Sequence, residues 1–442
     1  MCSKDQWVAM ECSLRFSMSN PDGNVTFSSE GKASLNEEWL TLSSKEGRTL
    51  TYSVRDLLRV DANDYRIALK VPEGALLLFN LGAKYEDMVR ELHRSRGELA
   101  LKDMLMEERV RKPSVSADLR MLNDGKEASA GRCEVRIYET ALVIIPENLD
   151  PIRVLLSDLA SVRKENFGLL VEEASGKAYE LKRLGKEIDP LANAIMNGMA
   201  ELKSRVQEML KEIMPAAAPS AIESASWLMR EGHAGAKADL ERSAPGLWSS
   251  LEKRLRASGI GAEYDHLASL SEEGGLRIGV KRGLKGEGPN DYLWVLAPIL
   301  DVESRVRGNA IALEATTEDG EGRATYFFSI SPREQYHGFP AEELRRSSEE
   351  LLDRISSCLV TINFRREPIY LEEAQLFAPD NLRYRHAIAR LPDLRSLRER
   401  FIGRVVHLSP EQWQSDVLEL LTFNGRERSD SARWVKKAEN GP

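Results

Sequence analysis

With 442 residues, 42% of them apolar and 30% charged, the chain has ordinary globular composition and the length for roughly two to four domains. A formal net charge of −8 excludes a global field that would draw the whole chain onto nucleic acid or an anionic membrane, though it leaves local basic patches open. The longest apolar runs, such as Tyr292-Leu293-Trp294-Val295-Leu296-Ala297, fall far short of the ~20 residues that span a bilayer.

The first unit is expected over 7–97. Strands are predicted over 7–16 and 24–29, separated by the turn residues Asn20-Pro21-Asp22-Gly23. Further strands are predicted over 39–42, 50–54, 65–71 and 75–79. Tyr85, Met88, Val89 and Leu92 then recur at helical spacing and predict a closing helix. Residues 98–130 read as a linker. It holds a charged helical stretch over 103–112, a break at Pro113-Ser114-Val115-Ser116, and turn chemistry at Leu122-Asn123-Asp124-Gly125-Lys126.

A second unit follows over 131–213, with strands over 133–138, 141–145, 152–156, 167–172 and 178–181. Its closing helix is long, because Leu191, Ile195, Met199, Leu202, Val206, Met209 and Ile213 keep one apolar face. That face fits either packing on a neighbouring domain or a homodimer seam between two copies of the 188–213 helix.

Pro215-Ala216-Ala217-Ala218-Pro219-Ser220 marks a domain boundary. A helical connector occupies 214–259, with helices over 221–230 and 246–257. The third region, 260–425, reads as α+β. Strands are predicted over 276–280 and 292–300, and a hairpin over 310–316 and 323–330 around Glu318-Asp319-Gly320-Glu321-Gly322. A helix over 340–358 places Leu344, Leu351, Leu352, Ile355 and Leu359 on its core face. Residues 360–364 and 368–371 are then extended, and helices follow over 381–388, 394–402 and 411–421. Ser409 caps the last helix, with Pro410 in its first turn. Residues 426–442 are expected to be a frayed tail.

The first two units carry a faint repeat. Tyr52-Ser53-Val54-Arg55-Asp56-Leu57-Leu58-Arg59-Val60 is echoed by Val154-Leu155-Leu156-Ser157-Asp158-Leu159-Ala160-Ser161-Val162. Tyr65 aligns with Phe167 and, after one inserted residue, Leu81-Gly82 with Leu184-Gly185. The apolar pattern carries this match more than identities do. Two copies of a β-rich unit point to a binding scaffold more than to a catalyst.

Signatures of catalysis are absent from the sequence. It contains no G-x-x-x-x-G-K-S/T and no G-x-G-x-x-G after a strand. Lys281-Arg282-Gly283-Leu284-Lys285-Gly286-Glu287-Gly288 reads as a hairpin loop, because no helix follows it to supply aligned N–H groups. No two of the six histidines, His93, His233, His266, His337, His386 and His407, share a helical turn. Cys2, Cys12, Cys133 and Cys358 form no C-x-x-C pair. No metal site, cofactor or disulfide framework is therefore expected, and the cysteines fit a reducing cytoplasm. There is no G-x-S-x-G elbow, and Cys358 reads as a buried structural thiol. No apolar stretch near the N-terminus suggests a secretory signal.

One charge asymmetry stands out. Arg365 and Arg366 follow the 360–364 segment, and Arg383, Arg385, Arg390, Arg395, Arg398, Arg400 and Arg404 recur after them. Only Asp393 and Glu399 offset the run between 383 and 404. A guanidinium fork suits bidentate contact with carboxylate or phosphate. The arginines fit salt bridges to the chain's own acids, including Glu367, Glu372 and Glu373. They also fit a docking face for an acidic protein, a nucleic acid or a phosphorylated ligand. The partner-contact candidates are Arg365, Arg366, Arg383, Arg385, Arg395, Arg398 and Arg404.

The strand over 50–54, Asp56-Leu57, Val60, two strands and a capping helix resemble the PH-like (pleckstrin-homology or GRAM-type) superfold. So do 152–156, Asp158-Leu159, Val162, 167–172, 178–181 and their helix. The resemblance covers 7–213. It implies small antiparallel barrels, each closed by a C-terminal helix, that bind lipids, peptides or proteins; tandem copies occur in chromatin and transcription assemblies. The loop that is basic in phosphoinositide-binding members corresponds here to Ser19-Asn20-Pro21-Asp22-Gly23, without Lys or Arg, so inositide binding is not implied. The expected fold class is α+β: two PH-like barrels, a helical connector and a C-terminal α+β domain. The expected function is that of a non-enzymatic cytoplasmic binding or scaffolding protein. Two alternatives stay open. One is a hydrolase-type enzyme with its site in 260–425 around His337, His386 or His407. The other is a nucleic-acid-associated regulator.

Overall fold

The structure, a computed structural model, describes residues 10–123, 125–282, 291–316, 324–426, 433, 434 and 436. The chain divides into two compact units, Met1–Asn197 and Gly198–Pro442. The first unit holds two antiparallel sheets of seven strands each.

The first sheet is built from β1 (Met10–Ser19), β2 (Val25–Leu35), β3 (Trp39–Ser44), β4 (Thr49–Ser53), β5 (Arg59–Asn63), β6 (Arg66–Val71) and β7 (Gly74–Phe79). Its order is β4-β3-β2-β1-β7-β6-β5. Alternation sets its faces: Cys12, Leu14 and Phe16 of β1 point inward, while their neighbours are exposed. The helix α1 (Tyr85–Asp103) follows and adds Met88, Leu92 and Leu99 to the core formed by Phe16, Leu35, Leu42, Ile67 and Leu78. Each such fully buried side chain is worth roughly 1.5–3 kcal/mol.

The second sheet repeats this plan with β8 (Val110–Asn123), β9 (Lys126–Tyr138), β10 (Ala141–Pro146), β11 (Ile152–Leu155), β12 (Leu159–Glu165), β13 (Gly168–Glu173) and β14 (Lys177–Lys182). Its order, β11-β10-β9-β8-β14-β13-β12, is the same topology. The helix α2 (Ile188–Ile213) follows it. Both sheets curl into half-barrels, with β4 and β5, or β11 and β12, as edges. The small antiparallel barrels expected from the sequence are these curled sheets, each followed by a helix.

The aligned residues occupy equivalent places. Asp64 and Tyr65 (φ 51° and 56°) turn β5 into β6, as Asn166 and Phe167 (φ 49° and 59°) turn β12 into β13. Left-handed residues at both turn centres match the twist of a two-residue hairpin. The Leu-Gly step ends β7 and β14: Leu81 and Leu184 are buried, and Gly82 and Gly185 sit at φ 55° and 53°, a conformation that favours glycine.

Residues 98–130 are not a linker. α1 runs on to Asp103, and β8 and β9 form a long hairpin. Val115, Ala117 and Leu119 are the buried positions of β8, diluted by polar outward residues. Pro113, read as a break, lies where the pairing register shifts between Lys112 and Val115, a place where proline is tolerated in a sheet.

The second unit contains a six-stranded antiparallel sheet in the order β15-β16-β17-β18-β19-β20. Its strands are β15 (Ala234–Ala236), β16 (Arg277–Arg282), β17 (Asp291–Ile299), β18 (Ala310–Thr316), β19 (Ala324–Ser329) and β20 (Phe401–Val406). Its helices are α3 (Pro219–Leu228), α4 (Lys237–Ser243), α5 (Leu247–Leu255), α6 (Gly261–Leu270), α7 (Ala341–Thr361), α8 (Glu367–Tyr370), α9 (Leu382–Arg390), α10 (Pro392–Arg400) and α11 (Pro410–Gly425). The Ser409 hydroxyl caps α11 by accepting from the Gln412 N–H at 3.2 Å.

Further expectations are corrected here. The 214–259 segment is core, not connector. Val206, Met209 and Leu210 of α2 pack with Ile222, Met229, Trp248, Leu251 and Ile278, and β15 pairs with β16. The division between the units therefore falls inside α2 rather than at 215–220. With those α2 residues buried within the chain, that stretch of its apolar face is not free to form a homodimer seam. The segment over 360–364 is also not extended. α7 runs to Thr361 and ends with Asn363 and Phe364 left-handed (φ 48° and 57°), and the Phe364 N–H donates to Leu359 O at 2.7 Å, a helix-terminating bond. The 368–371 segment is the short α8, and the helix expected over 394–402 stops at Arg400, where β20 begins. The turn at 318–322, the glycine-rich loop from 283, residues 7–9, Cys2 and most of the tail lie outside the described residues.

Candidate functional site

β19 and β20 pair with Tyr326 opposite Arg404. α8 sets Tyr370 beside Tyr326, with ring centroids 6.0 Å apart. The Arg404 guanidinium lies over Tyr370 at 4.3 Å, and Arg366, just before α8, lies over Tyr326 at 5.5 Å. Burial raises the Tyr326 hydroxyl above its ordinary value, against the opposing pull of Arg366 and Arg404. Neither guanidinium forms an ion pair with another described residue. Two arginines thus flank a tyrosine pair, stacked rather than neutralised.

The remaining arginines divide by what lies beneath them. Arg385 of α9 is exposed and lies 4.3 Å over Phe377, itself 55% exposed. Arg383 is exposed, lies 4.7 Å over Tyr384 and donates to its hydroxyl at 2.9 Å. Arg395 of α10 is exposed and has no ion pair among the described residues. Arg365 is half-buried after the left-handed turn that ends α7.

Arg398 corrects the expectation of a continuous surface. It is 8% exposed and donates to Pro368 O and Ile369 O, both at 3.2 Å, tying α10 to α8. Burial, with Arg433 nearby, holds its guanidinium below the ordinary value, opposed by Glu373. Arg400 does similar work, donating to Ser329 O at 3.1 Å and Ile330 O at 2.6 Å. Sequence reasoning missed the platforms Tyr326, Tyr370 and Phe377. Nothing in the arginine run itself points to them.

A guanidinium lying flat on a ring keeps its N–H edges pointing outward, which suits bidentate contact with carboxylate or phosphate. Arg366, Arg385 and Arg404 lie over rings, and Arg395 is exposed without one among the described residues. Glu367, Glu372 and Glu373 do not neutralise them.

The three histidines proposed for catalysis do not converge. His337 Nε2 donates to Gly425 O at 2.7 Å. His386 is half-buried on α9. His407 meets two carboxylates: Nε2 is 3.2 Å from Glu314 Oε2, and Nδ1 is 3.5 Å from Glu263 Oε1. Glu314 is fully buried and accepts from the Thr325 hydroxyl at 2.5 Å, and Trp413 Nε1 donates to that hydroxyl at 2.9 Å. This network fastens β18, β19, α6 and α11 together. Among the described residues no cluster of three or more His, Cys, Asp or Glu could hold a metal. The Cys358 thiol is buried, and burial pushes it up to about 12, so it stays an inert thiol. No helix among the described residues is long and apolar enough to cross a membrane.

No family model and no curated protein matches the chain. The solved C-terminal domain of an unknown protein from Leishmania infantum aligns with 23% of this chain and 94% of its own. It is 12% identical, with a TM-score of 0.19. The solved Spt16D–Pob3N heterodimer aligns over 38% of this chain and 84% of its own, at 15% identity and a TM-score of 0.17. At such scores neither likeness carries an argument.

Proposed function

We propose that the protein is a non-enzymatic binding or scaffolding protein of the cytoplasm. Its second unit engages an acidic protein partner through Arg366, Arg385, Arg395 and Arg404. The observation that carries this reading is that these four guanidiniums are stacked or exposed with no ion pair to a described residue. The first unit is read as two PH-like modules. Two seven-stranded antiparallel sheets of one topology, each followed by a helix, support that reading, and binding is what such modules commonly do. Three cysteines that are buried and free support a reducing compartment.

The test is the double reversal R395E/R404E, made in the full chain and compared in affinity purification from the native cell. The expected result is loss of the captured acidic protein, with a thermal midpoint within about 2 °C of the parent. Unchanged capture overturns the reading. Capture that nuclease removes and that falls steeply with salt replaces the acidic protein with a nucleic acid.

A further inference from the structure

The duplication allows the outer faces of the two sheets to be compared position by position. A groove of about 550 Å³ lies over β8–β10, and one of about 480 Å³ lies over β1–β3. Every residue lining the smaller groove has its counterpart lining the larger. Leu14 pairs with Gly31 as Ala117 pairs with Cys133, and the bond from Lys45 N to Glu30 O recurs from Glu147 N to Arg132 O.

The larger groove has an extra wall, the helix α1 of the preceding repeat. Glu86, Val89, Arg90, His93, Arg94 and Gly97 form it, three and four apart on one face. The contact is direct. His93 Nδ1 donates to Glu147 O at 3.0 Å and Arg96 to the same carbonyl at 2.9 Å. A Cβ at Gly97 would lie 3.0 Å from Ile145 Cγ2. β10 is accordingly buried on both faces, and Leu101 and Met106 cover Ala141, Val143 and Ile145. β3 alternates instead and leaves Trp39 46% exposed.

Charge differs at matching positions, and the smaller groove is the more basic. Arg15, Lys32 and Lys45 stand where Asp118, Glu134 and Glu147 stand in the second repeat. Glu30 stands where Arg132 does. The larger groove is charge-balanced, because Arg183 pairs with Asp118 at 3.0 Å and Arg136 with Glu134 at 3.3 Å, and the helix flanking it carries Arg90 and Arg94 on its groove face. Among the described residues no helix lines the smaller, basic groove. Lys45 pairs with Glu30 at 2.6 Å, while Arg15 and Lys32 form no ion pair with a described residue.

We propose that the β1–β3 groove is a docking site for an acidic amphipathic helix of a partner protein. That helix lies as α1 lies along β8–β10, with carboxylates at the places of Arg90 and Arg94. A second copy of the chain fits less well. α1 begins three residues after Gly82 and α2 three after Gly185, so α2 offers Asn193 and Asn197 where α1 offers its arginines.

The probe is a stapled, fluorescent peptide of residues 85–103 carrying Arg90→Glu and Arg94→Glu. Its binding to the full chain is read by anisotropy beside the peptide of natural sequence. The acidic peptide is expected to bind about tenfold more tightly than the natural one, and R15E/K32E to invert that order. Equal affinity for the two peptides, binding by neither, or an order that survives the reversal overturns the proposal. Comparing the two peptides on the parent chain does not depend on how the variant folds. Sedimentation of the chain alone covers the other occupant: a concentration-dependent dimer abolished by R15E/K32E assigns the groove to a second copy and overturns the partner helix.

Discussion

Arg395 and Arg398 lie three residues apart on α10 and do different jobs. Arg395 faces solvent. Arg398 turns inward and supplies a donor to two carbonyls of α8. A buried carbonyl that loses a charged donor costs about 1.5–3 kcal/mol. Arg398→Met is therefore expected to lower unfolding free energy by about that much in urea titration, while Arg395→Met stays within about 0.5 kcal/mol of the parent. Equal effects would show that Arg398 is not a strut. The run of arginines was legible in the sequence. Which guanidiniums point outward was not, because that depends on Pro368 and Ile369, brought close through space.

At the scale of elements, the repeat is written most clearly in its turns. Asn166-Phe167 occupies a hairpin turn that favours Asn-Gly, yet its second residue is a phenylalanine 95% exposed. A left-handed non-glycine residue is strained by about 1–2 kcal/mol, and glycine returns part of that as chain entropy. Phe167→Gly is expected to raise stability by about 0.5–1 kcal/mol in denaturant titration; a fall would sink the strain account. Strands with clean alternation were read correctly to within a few residues, as were the closing helices. β5, β12, β20 and the long β8–β9 hairpin were not. Their apolar residues are few and interleaved with charge, so the pairing partner, not local pattern, holds them extended.

For the molecule as a whole, the joint between the two repeats is a buried ion pair. Glu108, in the segment between α1 and β8, accepts from Thr140 N at 2.8 Å and pairs with Arg153 at 2.5 Å, with both side chains under a tenth exposed. Removing one partner of such a pair costs roughly 3 kcal/mol. Glu108→Ala is expected to lower the melting transition of the first unit by several degrees in calorimetry, with the second unit's transition unmoved. A matched drop in both would show that the units do not unfold separately.

The sequence by itself determined the duplicated β-rich half, its closing helices, the Leu-Gly steps and the cap on α11. Each is set by contacts a few residues apart along the chain, where backbone preference and apolar period are legible. Tertiary structure alone decided that 98–130 is sheet and that 214–259 is core. It alone also separated the arginine struts from the outward ones and set a basic groove and a charge-balanced one on matching faces. Those properties depend on which distant residues share a face, and charge and burial act across space rather than along the chain.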